Sequence, residues 1–251
     1  MGLASAGLGH LLAAQQRTAL SADLLEQTLG QLREMAEGQL TGPQRVLYLL
    51  DVALGSNFLG QIRLDQGDHR HAAELFADGL SAAHSAADRF TILVSLYDLA
   101  LSRQAGGDLT DAADLLKQGL ALAAEAGDGP SLAYYLEAMA HVAARQDRPD
   151  RAVSLLSAAA ALLEARGSGW LHAYVPRAPH GDSTLAALCA QMTGVAFEHA
   201  SAYGRSLSSP GAVRHALEEQ QAEPAPDATA GSGWPAAEAS AGNIRPCQSV
   251  I

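Results

Sequence analysis

The stretch GDHRHAAE, starting at Gly67, is where metal chemistry would first be sought, because Asp68, His69, His71 and Glu74 are all residue types that ligate divalent cations. Their spacing argues against it. His69 and His71 stand two apart at a helix start, which sends them to different faces, whereas a helical metal pair wants i, i+4. Asp68 and its counterpart Asp108 fit better as caps of the helices that follow them. A second cluster, Trp170, His172, Tyr174 and His180, lies in GSGWLHAYVPRAPHGDST. It has two readings: a ligand pocket beneath an irregular loop, or aromatic anchors that pin the loop to a core. Cys189, in LAALCAQM, reads as a small buried apolar residue. No Ser-His-Asp or Cys-His arrangement can be assembled from spacing, so no catalytic residue, metal or cofactor is expected.

Any such group must be positioned by the elements around it, and those elements repeat. QGDHRHAAELFADGLSAA from Gln66, GGDLTDAADLLKQGLALA from Gly106 and QDRPDRAVSLLSAAAALL from Gln146 align without gaps, each 40 residues after the last. Ala72, Leu75, Phe76, Gly79, Leu80 and Ala83 fall at i, i+3, i+4, i+7, i+8 and i+11, and the next copy matches with Ala112, Leu115, Leu116, Gly119, Leu120 and Ala123. The third copy has Ala152, Leu155, Leu156, Ala159, Ala160 and Leu163. One helical stripe therefore faces a core in all three, with small residues where a neighbouring helix must come close. Further helices are expected at about 44–65, 88–104 and 130–145, with turns at Gln66-Gly67-Asp68, Gly106-Gly107-Asp108, Gly127 to Pro130 and Asp147 to Pro149. A helix of about 17 residues cannot bury its stripe alone, so the hairpins must stack as a solenoid. An earlier, degenerate hairpin is expected before residue 40, because ADLLEQTLGQL from Ala22 resembles AELFADGLSAA from Ala73.

Composition agrees with an all-α chain: 48% of the 251 residues are apolar but only 5% aromatic, and Ala and Leu dominate. A net charge of −11, with one lysine, Lys117, and scattered arginines, argues against a nucleic-acid surface. Cys189 and Cys247 fit neither a disulfide framework nor a zinc site, which points to a reducing cytoplasm. The N-terminal segment lacks the basic region of a signal peptide, and Ala6 stands where myristoylation requires Ser or Thr. No stretch reaches the roughly 18 apolar residues of a membrane span.

Four regions are expected: a solenoid over 1–166, an irregular loop over 167–184, capping helices over 185–220 and a disordered tail over 221–251, which has little to bury. The capping helices are expected at about 185–203 and 211–220. Gly204 is placed to close the first by a positive φ, and Ser208 or Ser209 to cap the second ahead of Pro210. Ala212, Val213, Ala216 and Leu217 would cover the last hairpin, leaving Arg214, Glu218 and Glu219 largely to solvent.

The hairpin unit resembles the tetratricopeptide repeat. Leu59-Gly60, Gly67, Ala72 and Phe76 stand at that family's signature positions; Leu99-Ala100, Gly107, Ala112 and Leu116 follow, then Met139-Ala140, Asp147, Ala152 and Leu156. The family's first-helix tyrosine is replaced by Arg63, Arg103 and Ala143, and the period exceeds the usual value of about 34. Over 129–217 the order of elements is similar to the C-terminal tetratricopeptide-like region of actinobacterial LuxR-type and AfsR-like regulators, large signal-transduction ATPases. No Walker A sequence is present, since Lys117 lies in LLKQGL on a helix, and no helix-turn-helix follows Leu217.

The resemblance implies a right-handed superhelix whose first helices line a concave face. There the matching positions are Asn57, Tyr97 and Glu137, then Gln61, Leu101 and His141, a mixed polar and aromatic row suited to a peptide or partner helix. The competing reading is ordinary surface or inter-repeat packing. The resemblance further implies a non-catalytic sensor or interaction region of a transcriptional regulator, with a protein or peptide partner, a possible small-molecule inducer, and no nucleic acid or membrane bound by this chain. The alternatives are a stand-alone scaffold and an all-α enzyme with its site under the Trp170 loop.

Overall fold

The computed structural model describes residues 18–37, 41–165 and 187–218. Nine labelled helices account for most of them: α1 (Thr18–Glu37), α2 (Gly42–Asp65), α3 (His69–Ala86), α4 (Arg89–Gly106), α5 (Leu109–Ala126), α6 (Gly129–Arg145), α7 (Pro149–Glu164), α8 (Gly194–Ser206) and α9 (Ser209–Leu217). A further helical run occupies 187–191, and no strand occurs among the described residues. The irregular loop and tail expected at 167–184 and 221–251 lie outside the described residues, as do Trp170, His172, Tyr174 and His180.

Helix starts and stops follow from side chains on either side of each turn. Asp68, Asp88, Asp108 and Asp128 cap α3 to α6, their carboxylates accepting from the N–H groups of His71, Thr91, Asp111 and Ser131 at 3.1, 2.8, 3.1 and 3.1 Å. Each cap follows a left-handed residue: Gly67, Ala87, Gly107 and Gly127, with Asp147 next in the series. The N–H beyond that residue reaches back five positions, as from Asp88 to the Ala83 carbonyl at 3.2 Å and from Arg148 to Ala143 at 3.0 Å, which is the Schellman closure. One turn geometry thus recurs every 20 residues from Asp68 onward, at half the sequence period. It changes chemistry at its fifth occurrence, where Arg148 stands in the capping place and α7 starts without a side-chain cap.

The helices pair as α2–α3, α4–α5 and α6–α7, and each also packs on its neighbour in sequence. Contact also runs directly from α2 to α4 and from α4 to α6, while direct packing among α3, α5 and α7 is at most marginal. The first helices therefore form a continuous inner layer, and outer grooves open between the second helices. Fourteen of the eighteen positions of the expected stripe are buried, including Ala72, Phe76, Ala112, Leu116, Leu120, Ala152 and Leu155, while Leu80, Leu156, Ala160 and Leu163 are half-buried. Each large side chain there contributes about 1.5–3 kcal/mol through removal from water. Small residues are required where rings cross: a Cβ on Gly60 would lie 2.6 Å from Phe76, and one on Gly119 2.1 Å from Tyr135. Before the repeats, α1 lays Ala22, Leu25, Leu29 and Leu32 against α2.

Two expectations fail near the C-terminal end. Gly204 does not close a helix with positive φ. It lies inside α8, where the missing Cβ lets the helix approach α7: a Cβ would be 2.1 Å from the Ser154 carbonyl oxygen. Nor is 185–203 one helix, because Thr193 breaks it and caps α8 through the Ala196 N–H at 3.3 Å. Ser208 caps α9, accepting from the Gly211 N–H at 3.3 Å. That last helix reaches back across α5, α6 and α7, burying Ala212 and Ala216, while Leu217 stays 37% exposed.

Candidate partner-binding face

Because α2, α4 and α6 form the inner layer, side chains at matching positions along them come into register. The six residues expected to line that face divide into two groups. Asn57, Tyr97 and His141 are only 5%, 3% and 6% exposed, whereas Gln61, Leu101 and Glu137 are half-buried. Asn57 joins one repeat to the next: its amide donates to the Ser95 hydroxyl at 2.9 Å, and that hydroxyl donates back to the Asn57 carbonyl at 3.2 Å. Tyr97 does the same by ring contact, meeting Tyr134 and Tyr135 edge-on with centroids 6.5 and 5.7 Å apart. Both sit in inter-repeat packing, so a partner on this face would meet chiefly Gln61, Leu101 and Glu137. Leu101 packs on the main core cluster, and the Gln61 amide donates to Asp65 at 3.2 Å.

The structure brings Tyr97, Glu137 and His141 together, since the Glu137 carboxylate acts on the Tyr97 phenol and lies 4.0 Å from the His141 Nε2. It adds Asp98 and Tyr134, which spacing alone did not single out. Asp98 is buried on α4, and burial pushes its carboxyl up to about 7. Burial, then the charges of Glu137 and Asp98, raise the Tyr97 phenol well above its ordinary value, so it stays neutral. Its hydroxyl is buried and makes no hydrogen bond among the described residues. Tyr135 beside it donates to the Leu93 carbonyl at 2.5 Å. Asp98 was detectable in principle: Phe58 and Ala138 fill the same position in the flanking repeats, so it is an acid at an otherwise apolar place.

The other sequence candidates are structural where described. Asp68 caps α3 and lies 3.8 Å from the His71 Nδ1. Among the described residues, no group of three or more His, Cys, Asp or Glu is placed to hold a metal. Cys189 packs beside the cluster of Val153 and Phe197. One serine–histidine pair does form, Ser154 Oγ to His215 Nε2 at 2.9 Å. However, Ser154 is buried and donates its proton to the Arg151 carbonyl at 2.9 Å, and no carboxylate hydrogen-bonds His215 among the described residues. Burial, then the Arg151 charge, lowers the His215 pKa, leaving it neutral at pH 7. The pair fastens α9 to α7 and lacks the orienting acid of a hydrolase.

Among the described residues no helix is long and apolar enough to cross a membrane. No protein-family model matches the chain, and no curated protein matches it. A solved structure does: nearly identical TPR-like repeats of a kinesin light chain-like protein from Podosopora anserina superpose with a TM-score of 0.53 at 18% identity, covering 85% of this chain and 93% of that one. The fold is a TPR-like helical-repeat solenoid.

Proposed function

We propose that the chain is a non-catalytic interaction module in which the inner layer of α2, α4 and α6 holds a peptide or helical segment of a partner protein. The observation that carries this reading is the row of half-buried Gln61, Leu101 and Glu137 over the acidic, aromatic cluster of Asp98, Tyr97 and Tyr134. The half-buried acid Glu137, with no Lys or Arg at these matched positions, favours a partner segment that carries a basic side chain beside apolar ones. Selection of displayed helical peptides against the intact chain tests the idea. Sequences with Lys or Arg flanked by apolar residues should be enriched, and should bind the variant Gln61→Ala, Leu101→Ala, Glu137→Ala at least roughly tenfold more weakly. Equal binding to both proteins would remove this face from the reading.

The wider setting we assign is the sensor region of a cytoplasmic bacterial transcriptional regulator of the LuxR or AfsR-like type, the resemblance over 129–217 being its support. Neighbouring reading frames test it: a nucleotide-binding module encoded in line with this chain supports the regulator, and unrelated neighbours leave an independent scaffold.

A further inference from the structure

Two outer grooves lie one repeat apart and share a backbone, but their charges are placed differently: Arg70 and Arg103 of the first correspond to Thr110 and Ala143 in the second. The earlier lies between α3 and the end of α4, closed by the turn before α5, a cavity of about 520 Å³ lined in part by Arg70, Glu74, Arg103 and Asp108. Beside it Asp108 caps α5, and Arg103 lies 2.9 Å from Asp111. Moving 40 residues along the chain leads to the groove between α5 and α7 over the end of α6, a cavity of about 340 Å³. Here Ala77 has become Lys117, Asp108 has become Arg148, Asp111 has become Arg151, and Arg103 has become Ala143. Three cations from α5, the α6–α7 turn and α7 therefore line one cavity in a chain of net charge −11.

The partners of the two arginines among the described residues do not use them up. Arg151 Nη2 donates to the Ala216 carbonyl at 2.8 Å, but its Nη1 is buried with no acceptor among the described residues. A buried charged donor left unmade is costly unless something else accepts from it. Burial, then the neighbouring Arg148 charge, lowers the Arg151 pKa, partly offset by Glu218. Arg148 makes no side-chain hydrogen bond or ion pair among the described residues, and the first turn of α7 has no side-chain cap. Two exposed acids lie at the rim, Asp114, 3.3 Å from Lys117, and Glu218.

We infer that this groove binds a phosphate group, carried by a small phosphate monoester, held by Lys117, Arg148 and Arg151 at the uncapped start of α7. Three cationic side chains carried by three different elements line this one cavity, and such a set suits a multiply charged oxyanion. At the start of α7 Pro149 has no N–H, so the Asp150 and Arg151 amides and the positive end of the helix dipole are what the backbone adds, beside the Asp150 carboxylate of the same turn. Ala113, Met139 and Val142 give the same cavity an apolar wall for the organic part of the ligand. The cavity shares no lining residue with Gln61, Leu101 or Glu137 and does not depend on the partner-binding reading.

The sister groove supplies the test, because Lys117→Ala with Arg148→Asp installs residues that the same backbone already carries one repeat earlier. In chloride buffer of matched ionic strength, millimolar inorganic phosphate should raise the melting temperature of the full chain and bind measurably by calorimetry, with phenyl phosphate binding more tightly. The double variant should melt no lower than wild type without phosphate, since Asp at position 148 restores a cap. It should bind both probes at least roughly tenfold more weakly. Absence of a phosphate-specific response in wild type, or equal binding by the variant, overturns the assignment.

Discussion

The two outer grooves differ less in shape than in what fills and charges them. Over α4, acids and arginines neutralise each other, with Asp108 spent on a helix cap and Asp111 beside Arg103. Over α6, the acids at those places have become arginines, and α9 reaches back to bury Ala212 and Ala216 against the hairpin. A repeat thus fixes where a groove opens, because second helices stand apart while first helices touch. A handful of side chains then decides whether the groove is closed by internal ion pairs or left able to take a ligand.

Matching positions in successive repeats offer ways to break that contrast. The largest effect is expected at the paired glycines of α3 and α5. Gly119→Ala drives a Cβ to within 2.1 Å of the buried Tyr135 ring and should cost about 3 kcal/mol, whereas Gly79→Ala meets the Asn57 amide oxygen at 2.6 Å and should cost about half as much. Urea unfolding of both variants measures this, and equal losses would mean that the repeats pack interchangeably.

A smaller effect is expected at Asp98. In the folded chain its carboxyl holds a proton up to about pH 7, but in the unfolded chain only to about pH 4. Between those values the folded state binds the extra proton, so stability falls as pH rises through the window and stays low above it. Asp98→Asn should therefore gain on the order of 2 kcal/mol at about pH 8 and little at about pH 4. Thermal melts across pH would show the difference, and a pH-independent change would mean that the carboxyl is not the cause.

The smallest effect belongs to the caps. Arg148→Asp should add about 1 kcal/mol by giving α7 the side-chain acceptor that α3 to α6 already have, while Asp108→Arg should lose a similar amount from α5. Opposite signs in the two unfolding midpoints would confirm that one turn geometry serves both places; losses in both would show that the Arg148 turn has diverged.

Much of the fold was legible before any coordinates. The stripe from Ala72 to Ala83 recurs at 40 residues because a helix with one apolar face must bury it, and that need is written in residue type and spacing. The 20-residue series of caps was equally present, in Asp68, Asp88, Asp108 and Asp128, but Ala87 and Asp147 take the left-handed position without the glycine that usually marks it. The candidate face was only partly legible. Period placed Asn57 and Tyr97 in its row, yet depth within the layer depends on how closely α2, α4 and α6 approach, and there Asn57 meets Ser95 and Tyr97 meets two tyrosines.

By itself, then, the sequence determined helix, hairpin and repeat, because local capping and apolar periodicity act over one or two turns. Tertiary structure alone decided that Gly204 serves a close approach to Ser154, that α9 returns to the groove of α5 and α7, and that Lys117, Arg148 and Arg151 share one cavity. Those outcomes depend on which surfaces meet across 30 to 100 residues of chain, and packing at that range is set by the summed shape of several helices rather than by any one stretch.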